Sequence, residues 1–410
     1  MDLVYQTIFS FSGGYNYVHL QVCREFRALA PRTEALAYLN SLFGDGRGPT
    51  NYTPSYQRAK EALKADLFWL FLANRSCFPE DICRKAAKYG RLEVLRWLTS
   101  QGYQLSREVM EMAIRSGHGE VVVWLRGQGI EWSKTFCSIA AYRGDLRMLQ
   151  WLRINGCPWD ADVCDNAAER GHLEILQWAT EQGCPWGTEI ASWAAEEGQM
   201  HILQWLKEKG CEWTESTSCC AAVGGHLEVL QWLKDNGCEL HEETCASAAL
   251  AGELEVLKWL RENGCPWDEN TCSSAAEGGH LEVLQWARSQ GCEWDEETCA
   301  CAALEGHLEV LQWARSQECP WDEETCACAA EGGHLEVLQW ARSQGCSWNE
   351  DTCACAALGG HLEVLKWARS QDCPWDERVC TNAAEKGHSE IMFWATANRC
   401  PGVRVVTAYW

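Results

Sequence analysis

The chain has 410 residues, 35 of them basic and 58 acidic, for a net charge of −23; 26 are cysteine and 24 are tryptophan. With no basic face, such a composition argues against nucleic acid as a direct ligand, and the lack of any 18-residue apolar stretch argues against a membrane partner. Asp2, no basic start and no long apolar run give no sign of a secretory leader, so a reducing cytoplasm or nucleus with free thiols is the expected location.

Taken in chain order, residues 1–34 form a small apolar segment, "DLVYQTIFSFSGGYNYVHLQVCREFRALA", that stands outside the pattern of the rest. Residues 35–66 form a linker and connecting segment. Here "GDGRGPTNYTP", Gly44 to Pro54, is a loop by composition, and a helix from about Tyr56 to Leu72 leads onward. From 67 to 400 a tryptophan returns every 27 residues without a slip, at 97, 124, 151 and so on to 394. A fixed period of this length marks stacked repeats. Residues 401–410 are a tail.

Each of the twelve repeats predicts two short helices. The first starts after a capping residue such as Asp268, Asp295 or Asp322 and stops at a glycine present in every repeat, from Gly90 to Gly387. The second follows as "HLEVLQWARSQ", with Leu308, Val310, Leu311, Trp313 and Ala314 at helical spacing. It ends at a glycine in nine repeats and at Glu318, Asp372 and Arg399 in the other three. Helices this short do not persist alone in water; the fold class is therefore all-α, a solenoid in which each repeat needs its neighbours. On the first helix, Ala302 and Ala303 lie with Cys299 on the packing side, and Ala300 and Cys301 point away. Both tryptophan columns, in the second helix and in the loop (Trp267, Trp294, Trp321), read as core, with an exposed stacking platform as the lesser alternative.

The cysteines fall into columns rather than clusters. There is no CxxC pair, and columns one repeat apart stand about 10 Å apart in a helix stack, too far to share a metal. The early first-helix cysteines read as small core hydrophobes, with a disulfide between pairs seven apart, such as Cys292 and Cys299, if oxidised. Eight of the eleven histidines recur at one position, from His118 to His388, which suits turn packing rather than catalysis. With no nucleophile–base pair, phosphate loop or metal cluster, neither an enzyme nor a cofactor is expected.

Partner selection should sit where repeats differ while geometry does not. The outward column of the first helix is the most varied, and Ile139, Asn166 and Trp193 are its candidate binding residues. The second candidate is the acid that recurs at the first-helix starts, Glu296, Glu297, Glu323 and Glu324, as a surface for a basic protein segment. That acid equally favours the helix N-terminus and keeps a long array in solution.

"TCACAALEGHLEVLQWARSQG" resembles the ankyrin repeat in its Ala-Ala pair, Gly-His step, Leu-Glu-Val-Leu helix and glycine stop. The unit is six residues shorter, at the place of the β-hairpin finger. The resemblance thus implies an ankyrin-like array without long fingers, of the kind found in large algal viruses and algae, where the location would be the host cell. The first 34 residues are similar to an F-box through Ile8-Phe9, Val22-Cys23-Arg24, Phe26 and Leu29. That resemblance implies docking to the Skp-type adaptor of a cullin–RING ubiquitin ligase, with Leu3, Ile8, Phe9, Val22 and Cys23 as contacts. The alternative is that the segment only caps the solenoid. Two functions compete: a ligase substrate receptor, and a non-catalytic scaffold binding one or several proteins.

Overall fold

The computed structural model describes residues 35–401. Among them are 27 α-helices, one short 3₁₀ turn and no strand, the all-helical repeat architecture that the 27-residue period predicts. The chain divides into two compact units. The first runs to Ala167 and takes in Glu174–Trp186; the second comprises Ala168–Leu173 and the chain from Gly187 onward. Leu3, Ile8, Phe9, Val22 and Cys23 lie outside the described residues.

The described part of the first unit begins with α1 (Ala35–Gly44), α2 (Tyr56–Lys64) and α3 (Phe68–Ala73). The single helix expected from Tyr56 to Leu72 is broken, because Asp66 adopts a left-handed φ of 60° between α2 and α3. Asn74, fully buried, pins the preceding loop. Its Oδ1 accepts from the Ser55 N–H at 2.8 Å, and its Nδ2 donates to the Leu70 carbonyl at 2.7 Å.

Twelve helix pairs follow, from Ile82–Lys88 with Leu92–Ser100 to Arg378–Glu385 with Ser389–Ala397. One repeat shows why the sequence folds this way. Asp268 is extended, and its carboxylate accepts the Asn270 N–H at 3.1 Å, satisfying one of the free donors of a helix start. Asp322 does the same for Glu324 at 3.0 Å, whereas Asp295, expected to cap, makes no side-chain bond to its helix. The first helix, Glu269–Glu277, stops at Gly279, whose φ is 74°. The second, Leu281–Ser289, buries Val283, Leu284 and Ala287 and ends at Gly291 in the same left-handed region. Glu318, Asp372 and Arg399 are forced into that region too, at φ of 60–64°, at a cost of about 1 kcal/mol each relative to glycine.

Two devices join repeat to repeat. Within each unit, first helices of successive repeats pack directly on one another; Ala302 and Ala303 are completely buried, as is the whole Ala302 column. Ala300, expected to point away, is also buried, and the outward side is held by Cys301. The second device is the histidine column. His307 Nε2 donates to the Glu277 carbonyl of the preceding repeat at 3.0 Å, and His118 and His388 make the same reach to Lys88 and Leu358. Where histidine is absent, Arg91 reaches the Leu63 carbonyl and Gln199 that of Glu169. A carbonyl left unpaired at a helix end is thereby satisfied from the next repeat.

Candidate functional site

In the first unit, Ile139 and Asn166 come together in a groove of about 350 Å³ with Arg115, Ser138, Tyr142 and Arg143. Asn166 Nδ2 donates to the Ser138 carbonyl at 3.4 Å, and Arg143 donates to the Arg115 carbonyl at 2.8 Å. Tyr142, one turn beyond Ile139, had no signal in the outward column, yet its ring is 38% exposed beside it. In the second unit Trp193 is 45% exposed, a large aromatic facing solvent as its column position predicts.

The acid of the second unit forms a second groove, about 300 Å³, lined by Asp322, Glu323, Glu324, Ala327, Asn349, Asp351 and Cys355. Asp351 is neutralised by Arg378, and Asp322 is occupied as a helix cap. Glu323 and Glu324 are exposed and have no basic partner among the described residues, and the same is true of Glu296 and Glu297 one repeat earlier. Burial, and then the nearby Glu331 and Asp351, push Cys355 up to about 11; burial, Glu324 and other neighbours push Cys328 up to about 12. These cysteines stay protonated at neutral pH and are poor nucleophiles.

Tryptophan departs from expectation. Apart from the buried Trp205, both columns are half-buried rather than core. In the second unit, loop rings meet the second-helix ring of their own repeat edge to face, as in Trp267–Trp286 and Trp294–Trp313 at 5.9 Å between centroids. An arginine from the preceding second helix lies over the loop ring: Arg261 over Trp267 at 4.1 Å, Arg288 over Trp294 at 4.0 Å. The arginine also donates to the carbonyl of the cysteine that closes its loop, as Arg288 does to Cys292. This Arg–Trp–Trp set ties one repeat to the next at the surface.

The thiols also pair differently from the sequence expectation. The partner of Cys272 is Cys292 and that of Cys326 is Cys346, twenty residues on and within the same repeat, not seven. Cys292 and Cys346 in turn donate to the Asp268 and Asp322 carbonyls at 3.2 and 3.1 Å. All cysteines of the described residues are free. Among those residues no group of three or more His, Cys, Asp or Glu side chains could hold a metal ion, and no helix is long and apolar enough to cross a membrane.

No family model and no curated protein matches the sequence. Among solved structures, the chain is similar to the human ASB11 ankyrin repeat domain (TM-score 0.32, 19% identity, 38% of this chain and 84% of that one). It is similar also to the pentatricopeptide repeat protein PPR10 in complex with an 18-nt psaJ RNA element (TM-score 0.35, 13% identity, 98% and 70%), and to PPR10 from maize (TM-score 0.31, 11% identity, 97% and 79%). These neighbours are helical-repeat proteins.

One expectation is corrected: composition does not exclude nucleic acid as a partner. The exclusion rested on net charge and on the lack of a basic face. Net charge averages over the whole chain, whereas the arginines over the tryptophan column, from Arg261 to Arg369, form a basic row of their own on an acidic protein.

Proposed function

We propose that the chain is a non-catalytic repeat scaffold whose second unit binds a basic protein segment along the first-helix starts. The observation that carries this reading is the acidic groove, where Glu323 and Glu324 stand exposed without basic partners. Exposed charges are individually weak, but a row of them in register attracts and holds a multivalent cation. Ile139 with Asn166 in the first unit, and Trp193 separately in the second, are further, less charged candidates for partner choice. The experiment is a titration with a lysine- and arginine-rich peptide. Reversal of Glu296, Glu297, Glu323 and Glu324 to lysine should weaken binding by about tenfold or more at low salt, with the melting curve unchanged. Wild-type affinity should fall as the Debye length shrinks from about 10 to 3 Å. Equal affinity at both salts, undisturbed by the four reversals, would assign the acid to solubility alone.

A ubiquitin-ligase receptor is the more specific form of this proposal. It rests on the F-box resemblance of Ile8-Phe9 and Val22-Cys23-Arg24. On that form a Skp-type adaptor co-purifies with the full chain, and Ile8→Asp with Phe9→Ala abolishes the capture. If no adaptor comes down with the wild type, the segment serves as a cap.

A further inference from the structure

The Arg–Trp–Trp sets enclose a repeated groove. One, of about 380 Å³, is lined by Lys258, Arg261, Glu262, Trp267, Trp286 and Gln290. The next, of about 300 Å³, has Gln285, Arg288, Ser289, Trp294, Trp313 and Gln317 at the corresponding positions, each 27 residues on. The same ring pairs and arginines recur in the three following repeats, so the second unit carries five in succession. The walls come from second helices and loops, whereas the acidic groove is walled by first helices; these are different surfaces.

We propose that this row of tryptophan grooves binds a proline-rich segment in the polyproline II conformation. The argument is one of pitch. Helices packed side by side stand about 8–10 Å apart, which sets the step from groove to groove. A polyproline II helix has three residues per turn and rises about 3.1 Å per residue, so it presents the same face about every 9.3 Å. A β-strand repeats its face every two residues, at about 6.7 Å, and falls out of step with the grooves at once. The chemistry also agrees. Polyproline carbonyls are free acceptors, and each groove offers donors from its glutamine and arginine beside two flat apolar rings. RNA, which stacks bases on aromatic rings, is the competing occupant.

The test uses the full chain and labelled peptides (Pro-Pro-Ala)n with n from 2 to 5, read by fluorescence anisotropy. Affinity should rise by roughly threefold per added triplet. One glycine inserted at the centre of the n = 4 peptide displaces half of it by about 3.1 Å and should return the affinity to that of n = 2. Gln290→Ala with Gln317→Ala, both exposed, should weaken the n = 3 peptide about fivefold with an unchanged melting curve, while the four acid reversals leave it unaffected. Absence of binding, or affinity indifferent to length and to the insertion, would mean the tryptophan row is only a structural tie. Binding of oligouridine in place of the peptides would overturn the proposal in favour of RNA.

Discussion

Gly279→Ala should destabilise the second unit by about 2–5 kcal/mol in chemical denaturation, a loss with two separable parts. The backbone at Gly279 has φ 74°, where a β-carbon costs about 1–2 kcal/mol. The same β-carbon would stand 2.6 Å from Cε1 and Nδ1 of His307 in the next repeat, closer than such atoms pack, adding about 1–3 kcal/mol of overpacking. The His307 ring is held by its bond to the Glu277 carbonyl and has little freedom to withdraw. In a His307→Ala background the alanine at 279 should therefore cost only the backbone part. A cycle in which the two losses simply add would show that the ring is not the obstacle.

Ala302→Leu should be at least as damaging, about 3 kcal/mol or more. Ala302 is wholly buried where the helices Glu296–Leu304 and Glu323–Glu331 meet, and the small residue sets how closely their backbones approach. Leucine would force the two apart, and Cys299 and Ala303 would lose packing with them. Far-UV circular dichroism during guanidinium unfolding should show a broadened transition, because the stack is cut into two weaker pieces. A sharp transition at the wild-type midpoint would mean that the interface relaxes around the extra volume.

Much of this was legible in the sequence. The period, the glycine stops at φ near 75°, the capping residues and the alanine columns each follow from local chemistry that repeats in register, and Ile139 and Asn166, two members of the column that varies, line one groove. What escaped had to do with contacts between columns. Trp286 lies on the apolar stripe of its helix by spacing and Trp267 in the loop reads as core beside it, but both rings reach the surface, and only packing shows that an arginine covers the loop ring. The thiol partner of Cys272 lies twenty residues away because the chain crosses a whole helix pair before returning, a path that spacing along one helix does not reveal. Asp295 shares the capping position of Asp268 and Asp322 without their side-chain bond, and nothing in the sequence distinguishes it.

The reach of the inter-repeat bonds has a consequence for how the chain changes over generations. His307 bonds thirty residues back and Cys319 twenty-four, and the devices described within the second unit tie a repeat to itself or to its immediate neighbour. Blocks as alike as Gly278–Ala303 and Gly332–Ala357 are therefore interchangeable cassettes: excision of one 27-residue block brings an equivalent acceptor under each histidine and an equivalent ring under each arginine. Repeat number becomes a quantity that duplication or loss can adjust in whole steps, lengthening or shortening the binding row without redesigning a single contact.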